Sequence, residues 1–272
     1  MKELIKRTVF GAIYVALVVC SILFWRPFFF QLLFLLVSAF ALLEFHRINK
    51  SDVLLTVSGM LLAWLMFSTL ALLMSTTCFK ASCVMGATYG LVLILSLVAE
   101  LFKKAEDPIR NWGMLLEGQI LVALPFALMN VLFAESYMLL LSVFIIIWVN
   151  DTGAYCTGSL IGRHKMFPRV SPGKSWEGFC GGAVFALLAG WVLLSDPLGF
   201  TGMSYEWWKS VMITLVIVVF GTLGDLMESL MKRTLGIKDS GNVIPGHGGW
   251  LDRFDSMLLA TPAVVLLLMF FV

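Results

Sequence analysis

Charged residues are scarce in this sequence, and their scarcity excludes an ordinary soluble domain. Asp, Glu, Lys and Arg make up 13% of the 272 residues, about half the share expected of a soluble globular domain. Hydrophobic residues make up 60%, and the mean hydropathy is +0.95. We therefore predict an integral membrane protein. The formal net charge of +2 says little, because the positions of the charges matter more than their sum.

The sequence also lacks the signatures of a metal-binding cysteine cluster and of a multidomain chain. The spacing of its five cysteines fits no metal-ligand pattern. Cys78 and Cys83 share a short connection, where reduced thiols are favoured over a disulfide. The chain contains no internal repeat, no low-complexity tract and no linker that would mark a boundary between domains.

Long apolar runs predict an all-α polytopic membrane protein with about nine transmembrane helices. Each run is close to the roughly 17 to 25 residues that a helix needs to cross a bilayer. The sixth and the ninth are short, so we expect tilt or partial insertion there. The runs lie approximately at 8–25, 28–45, 53–74, 81–102, 114–133, 136–150, 179–195, 210–227 and 256–272.

The distribution of Lys and Arg predicts how the chain is oriented. With a cytoplasmic N-terminus, the basic residues that fall on the opposite side are only Arg26, Lys80 and Lys209. Basic residues next to membrane spans favour the cytoplasmic side. We therefore predict that the N-terminus and the functional site both face the cytoplasm.

Polar chemistry is concentrated in the second half of the chain. Residues 1–135 are nearly featureless and predict a transmembrane scaffold of about five helices. Residues 136–272 contain two polar stretches, 151–178 and 228–255, which we expect to be cytoplasmic loops. The simplest organisation is an N-terminal scaffold followed by a C-terminal catalytic transmembrane region.

The second polar stretch and the helix end before it carry several carboxylates. On a helix, Asp225, Glu228 and Lys232 would share one face. Two acidic faces that met would offer oxygen ligands to Mg²⁺, which usually takes one or two protein carboxylates. For any single residue, an interfacial salt bridge is the alternative interpretation. The acids are Asp225, Glu228, Asp239, Asp252 and Asp255.

Two further segments suggest phosphate binding. Residues 238–249 are rich in glycine, which lets backbone N–H groups converge on an anion. For His247 within this segment, a local hydrogen-bonding role is favoured over a direct chemical role.

Gly173-Lys174-Ser175 resembles part of a Walker A loop, but Pro168 stands where that motif requires glycine and no strand pattern precedes it. A P-loop NTPase is therefore excluded. A basic turn with a hydroxyl on each side of Lys174 remains, as a phosphate clamp or as an ordinary basic loop.

The longest pattern spans 27 residues and runs Ser229-Leu-Met-Lys232-Arg233, four residues, Lys238-Asp239-Ser-Gly241, then Ile244-Pro245-Gly-His247-Gly248-Gly249-Trp-Leu-Asp252-Arg253-Phe-Asp255. This pattern resembles the bacterial phosphatidate cytidylyltransferases, also called CDP-diacylglycerol synthases. The segments 151–155 and 171–178 resemble two other recurring segments of that family. Two departures are visible: Trp250 replaces an expected aliphatic residue, and Ser175 replaces an expected Thr.

The resemblance implies transfer of CMP from CTP to phosphatidate, giving CDP-diacylglycerol and pyrophosphate in phospholipid biosynthesis. It implies a Mg²⁺ site of two cations, a homodimer in the cytoplasmic (inner) membrane and no nucleic acid partner. The chemistry of the polar stretches agrees independently. A phosphomonoester with a second pKa of about 6 is mostly a dianion at neutral pH, so it needs no general base. It needs cations that bring two polyanions together.

These considerations assign roles to individual residues. Asp225 and Asp252 are the expected metal ligands, with Asp255 and Asp151 as further candidates. The expected catalytic residues are Asp225, Asp252, Lys232, Arg233, Lys238, Asp239, Arg253 and Asp255. The expected substrate-binding residues are Asp151, Ser171, Lys174, Ser175, His247, Gly248 and Gly249.

Two other functions stay open at this point. A CTP-dependent polyprenol kinase would release CDP instead of pyrophosphate. A transporter would use Asp225 and Asp151 as ion-coupling sites, although the confinement of polar chemistry to one half and one side argues against alternating access.

Overall fold

The computed structural model describes residues 2–24, 27–75, 78–241 and 248–271, with side chains from residue 8 onward. Helices dominate the described chain, which confirms the predicted all-α polytopic fold. The helices are α1 (Lys2–Leu23), α2 (Phe28–Ile48), α3 (Val53–Leu73), α4 (Phe79–Phe102), α5 (Pro108–Glu117), α6 (Leu124–Glu135), α7 (Tyr137–Ile161), α8 (Trp176–Leu194), α9 (Trp207–Thr234), α10 (Leu251–Phe254) and α11 (Met257–Met269), with a π-helical turn at Gly118–Ala123 between α5 and α6.

The described residues contain seven helices long and apolar enough to cross a membrane, counting Pro108–Glu135 as one. They correspond to the second through eighth predicted runs. The first and last runs form shorter apolar helices, Thr8–Leu23 within α1 and the 13-residue α11. The protein is therefore an integral membrane protein. The five cysteines all lie in the described residues, and no disulfide joins them.

Two predicted loop boundaries are wrong because helices continue into the polar stretches. Helix α7 has 25 residues and extends to Ile161, so the sixth span is not short and the first polar stretch begins as helix. Helix α9 extends to Thr234, so the second stretch also begins as helix. A helix satisfies its own backbone hydrogen bonds, and polar side chains on one face do not end it.

A β-hairpin replaces the basic turn predicted around Lys174. Strand β1 (Lys165–Phe167) pairs with the antiparallel strand β2 (Ser171–Ser175), placing Lys165 opposite Ser175. Ser175 then caps α8, since its Oγ accepts a hydrogen bond from the N–H of Gly178 at 3.1 Å. Serine is a favoured N-cap residue because it satisfies one of the unpaired N–H groups of the first turn.

The chain folds into two compact units, of which the first contains Met1–Ala134 and Asp239–Phe254. Its core includes an aromatic cluster around Phe254, the last residue of α10. The ring of Phe254 lies 5.3 Å from that of Phe126 and 6.0 Å from that of Phe34, both edge-on. Edge-on aromatic pairs are favourable beyond the area they bury. Helix α10 is thus held against α2 and α6.

The second compact unit contains Glu135–Lys238 and Asp255–Val272. In it, α7 packs on α8, and α9 packs on both α8 and α11. Glycines allow the close approach: a Cβ at Gly224 would lie 2.6 Å from the carbonyl oxygen of Asp255. Small residues bring membrane helices together in this way. The predicted division at about residue 135 was made on chemistry and stays a prediction; by packing, Asp239–Phe254 belongs with the first unit.

Candidate active site

The second unit contains a cavity of about 560 Å³, lined by both polar and apolar residues, between α7, the hairpin, α8 and α9. Its polar lining residues come from the second halves of α7 and α9 and from the hairpin. The cavity brings together residues from the segments 151–155 and 171–178 and Asp225 from α9. The predicted site residues that line it are Asp151, Ser171, Lys174, Ser175 and Asp225.

An ion pair joins the hairpin to α9 inside this cavity. Lys174 Nζ lies 2.6 Å from Asp225 Oδ2, and both side chains are roughly a quarter to a third exposed, at 26% and 30%. Ser229 Oγ donates to Asp225 Oδ1 at 3.2 Å. Because the pair is partly hydrated, it contributes little to stability. An incoming cation can therefore compete for Asp225, and an incoming phosphate for Lys174.

Asp151 and Asp255 add negative charge beside Asp225. Asp151 lies on α7 and interacts electrostatically with Asp225. Asp255 lies between α10 and α11, where burial and then the Asp225 charge raise its pKa to about 7. Its hydrogen bond from the N–H of Ser256, at 2.6 Å, opposes that rise. Accumulated like charges favour binding of a cation or a proton.

The described residues hold no group of three or more His, Cys, Asp or Glu side chains arranged to bind a metal ion. Asp151 and Asp225 nevertheless supply the hard oxygen donors that Mg²⁺ prefers, and Mg²⁺ sites often use one or two protein carboxylates with substrate phosphates. The donor set of the cavity therefore fits Mg²⁺ bound together with a phosphate-bearing substrate.

Salt bridges account for part of the polar face of α9. Lys232 pairs with Glu228, and both side chains are buried, so the salt-bridge interpretation holds for this pair. Arg233 is exposed and donates from Nη1 to the carbonyl oxygen of Ile237 at 3.3 Å. Lys238 follows as an exposed residue at the end of the second unit.

In the first unit, Asp252 organises the segment that follows residue 238. Its Oδ2 accepts hydrogen bonds from Ser240 N (2.9 Å), Ser240 Oγ (3.0 Å) and Gly249 N (2.7 Å). Gly248 has a φ of +82°, and a Cβ there would lie 2.5 Å from Asp252 Oδ2. In the described part of the glycine-rich segment, the N–H groups of Ser240 and Gly249 thus converge on the carboxylate of Asp252.

Glu44 was missed from the sequence and belongs to the same arrangement. It lies on α2, is 6% exposed, and accepts hydrogen bonds from the backbone N–H groups of Trp250 and Leu251, both at 3.0 Å. Ser240 Oγ lies 3.1 Å from Glu44 Oε2. One signal was present: Glu44 is the single acid in the apolar run that forms α2, and an ionisable residue within a membrane span usually has a function.

The remaining predicted residues differ in how they are placed. Asp239 is exposed. Arg253 is half-buried, and its carbonyl oxygen accepts a hydrogen bond from Tyr14 at 3.2 Å. His247 lies outside the described residues. Glu177 was also missed; it fixes the start of the hairpin, because its carboxylate accepts from the N–H groups of Arg163 and His164.

The comparisons with known proteins agree on one family. A family model described as "Cytidylyltransferase family" matches residues 5–271. Three relatives named phosphatidate cytidylyltransferase come from Staphylococcus species. The Staphylococcus saprophyticus protein is 43% identical over 135 residues, 50% of each chain, and the Staphylococcus haemolyticus protein is 44% identical over 129 residues, 47% of this chain and 48% of the relative. The Staphylococcus aureus protein is 43% identical over 135 residues, 50% of each chain.

The chain spans about half the length of the curated relatives that it matches. The family model, in contrast, covers nearly the whole chain, and it agrees with the resemblance seen in the residues around Lys232 and Asp252. The chain belongs to the cytidylyltransferase family.

Proposed function

We propose that this protein transfers CMP from CTP to phosphatidate, releasing pyrophosphate and forming CDP-diacylglycerol for phospholipid biosynthesis. The observation that carries the proposal is the cavity in which Lys174 and Asp225 form an exchangeable ion pair beside Asp151. Its location in the second halves of two membrane helices, where polar residues begin, suits a lipid substrate with a charged headgroup. The names of the relatives support the same reaction.

The proposed chemistry is a phosphoryl substitution that needs charge neutralisation. An oxygen of the phosphatidate phosphate attacks the α-phosphorus of CTP, and the bond to the β-phosphate oxygen breaks with pyrophosphate leaving. Since the attacking phosphate is already a dianion at neutral pH, no side chain has to remove a proton. Bound Mg²⁺ would neutralise the triphosphate and the leaving pyrophosphate.

The charge of each residue suggests its role in this reaction. Asp225 and Asp252 are the proposed metal ligands, with Asp151 and Asp255 as further candidates. Asp252 Oδ2 already accepts three hydrogen bonds, so an ion would use its other oxygen or displace the loop. The groups proposed to hold phosphates are Ser171, Lys174, Ser175, Lys232, Arg233, Lys238 and Arg253, and those proposed to shape the loop are Asp239, His247, Gly248 and Gly249.

The wider setting is part of the same proposal. The acyl chains would stay in the bilayer, with the N-terminus and the active site facing the cytoplasm and the protein embedded in the cytoplasmic (inner) membrane. The Lys and Arg distribution supports that orientation. A homodimer and the absence of a nucleic acid partner remain expectations from the family resemblance.

Pyrophosphate release by the purified protein tests the proposal. The reaction would contain phosphatidate, CTP and Mg²⁺ in detergent, and Asp225→Asn would be compared with Asp107→Asn. Asp107 is the N-cap of α5, and Asn caps a helix equally well, so this control alters a carboxylate without altering the fold. We expect activity that requires all three components and is lost only in Asp225→Asn.

The other outcomes identify the rival functions. CDP in place of pyrophosphate would show a CTP-dependent lipid kinase. Neither product, from folded protein, would return the transporter to consideration. Full activity in Asp225→Asn would remove Asp225 from the metal site.

A further inference from the structure

Glu44 stands out among the groups that the proposed reaction does not use. It is a buried carboxylate on α2, and within the described residues no ion pair involves it. Its hydrogen-bond donors instead come from a segment about 200 positions further along the chain. Trp250 N donates to Oε1 and Leu251 N to Oε2, and the single hydrogen of the Ser240 hydroxyl is shared between Glu44 Oε2 and Asp252 Oδ2. An uncompensated buried charge is strongly unfavourable, so Glu44 and this segment depend on each other.

The same hydroxyl connects Glu44 to Asp252. Ser240 Oγ lies 3.1 Å from Glu44 Oε2 and 3.0 Å from Asp252 Oδ2. The two carboxylates together hold four backbone N–H groups, those of Ser240, Gly249, Trp250 and Leu251. The position of Asp252 therefore depends on the position of Glu44.

Two glycines explain why the segment approaches Glu44 so closely. A Cβ at Gly241 would lie 2.7 Å from Glu44 Oε1, and a Cβ at Gly249 would overlap both Glu44 Oε2 and Ser240 Oγ. Any larger residue at either position would push the backbone away from the carboxylate. Glycine at these two positions is thus required by contact with Glu44, and a bound phosphate is not needed to explain it.

A ring contact adds a second attachment to α2. The Trp250 ring lies nearly parallel to that of Phe40, with an interplanar angle of 16° and 5.9 Å between centroids. Phe40 is one turn before Glu44 on the same helix. The aromatic residue that departs from the expected pattern at position 250 therefore packs against the helix that supplies the carboxylate.

We propose that Glu44 is a positioning residue that holds Ser240, Trp250 and Leu251, and with them Asp252, in the conformation needed for CMP transfer. This inference rests on the proposed function. Glu44 does not touch substrate in this role; it acts through the N–H groups of Trp250 and Leu251 and through Ser240.

Glu44→Gln tests the proposal, with Glu100→Gln as the matched control. Gln is nearly isosteric, but one of its terminal atoms is a donor, so at least one of the N–H groups would face another donor. Glu100 is equally buried, at 3% exposed against 6% for Glu44. It lies on α4 in the same unit and accepts from the side chains of Lys103 (2.9 Å) and Asn111 (2.8 Å), not from the 239–254 segment.

Two readouts separate positioning from a general loss of stability. Hydrogen–deuterium exchange of peptides covering 239–254 should accelerate at least about 10-fold in Glu44→Gln, since broken hydrogen bonds allow local opening. In Glu100→Gln it should match the wild type. The kcat for pyrophosphate release should fall at least about 10-fold in Glu44→Gln, with KM for CTP changing less than about 3-fold, because a buried positioning group affects the reacting geometry more than ground-state binding.

The proposal is overturned if exchange in 239–254 is unchanged, or if exchange accelerates while kcat equals that of Glu100→Gln. If Glu44→Gln does not fold, Ser240→Ala tests the proposal instead, because it removes the hydroxyl that links Glu44 to Asp252 without changing a buried charge. We expect kcat to fall in Ser240→Ala, by less than in Glu44→Gln. A wild-type kcat in Ser240→Ala would overturn the proposal. A wild-type protein inactive on CTP and phosphatidate would refute the proposed function, whereas the exchange result would still decide whether Glu44 anchors the segment.

Discussion

Gly248 offers the sharpest test of the hydrogen bonds around Asp252. Its φ of +82° lies in the left-handed region, where a non-glycine residue costs roughly 1–2 kcal/mol. An added Cβ would also lie 2.5 Å from Asp252 Oδ2, which is 0.9 Å short of ordinary contact at 3.4 Å. Gly248→Ala thus combines backbone strain with displacement of the carboxylate.

The size of the effect follows from the bonds that this displacement breaks. The bonds to Asp252 Oδ2 measure 2.7, 2.9 and 3.0 Å, and lengthening each by most of an ångström removes them. Hydrogen bonds to a charged group contribute about 1.5–3 kcal/mol each, so losing the two backbone bonds costs on the order of 3–6 kcal/mol. If half of that cost is felt in the transition state, kcat falls by about 10- to 100-fold, since 1.36 kcal/mol corresponds to a factor of ten.

Gly236 provides the matched control for this substitution. It also has a left-handed backbone, with a φ of +70°, but nothing lies within 4 Å of where its Cβ would be. Gly236→Ala should therefore show only the backbone strain, measured as a modest fall in the thermal unfolding midpoint, and should keep wild-type pyrophosphate release. If Gly248→Ala were as active as Gly236→Ala, the hydrogen bonds to Asp252 Oδ2 would not matter for activity, and our reasoning would be refuted.

Three further predictions concern the second unit. Lys174→Gln should raise KM for CTP at least about 10-fold in steady-state assays, since a charge-assisted phosphate contact contributes about 1.5–3 kcal/mol, whereas Lys209→Gln should not; equal KM values would remove Lys174 from the site. Ser175→Ala should lower the free energy of unfolding by about 1 kcal/mol through loss of the α8 cap, and Ser175→Thr should restore most of it; a silent Ser175→Ala would contradict the cap. In protein freed of divalent cations, the pKa of Asp255 is raised to about 7, so the folded state keeps a proton that the unfolded state releases, and thermal stability should fall as the pH rises from about 4 to 7. Asp255→Asn should flatten this pH dependence. An unchanged slope in Asp255→Asn would mean that another group causes the pH dependence.

The sequence was sufficient to predict the helices and the apolar runs that form them. Span length and hydropathy are local properties, so the runs could be read without knowing any tertiary contact. The end of α7 could not, because Asp151 lies in helix that continues past the apolar residues; for α9, the shared face of Asp225, Glu228 and Lys232 already suggested that the helix continues. The hairpin was also missed, since strands of three and five residues carry almost no periodic signal.

The candidate site shows the same division between local and long-range information. Asp151, Lys174 and Asp225 were chosen from three separate segments, and the structure places all three around one cavity. The expectation that residues 1–135 are only a scaffold was less informative. It passed over Glu44, whose partners lie at 240, 250 and 251, because a contact between residues so distant in sequence leaves no spacing pattern.

In the described part of the glycine-rich segment, the backbone N–H groups have partners within the protein itself. The segment's density of glycine predicted backbone N–H groups converging on an anion, with phosphate as the expected ligand. In the described part of the segment, the N–H groups of Ser240, Gly249, Trp250 and Leu251 all converge on the carboxylates of Asp252 and Glu44. A substrate phosphate could use these N–H groups only by displacing a buried carboxylate, which costs more than the new contact returns. We therefore expect phosphate recognition to depend on side chains such as Lys174, and Gly248 and Gly249 to hold Asp252 in place.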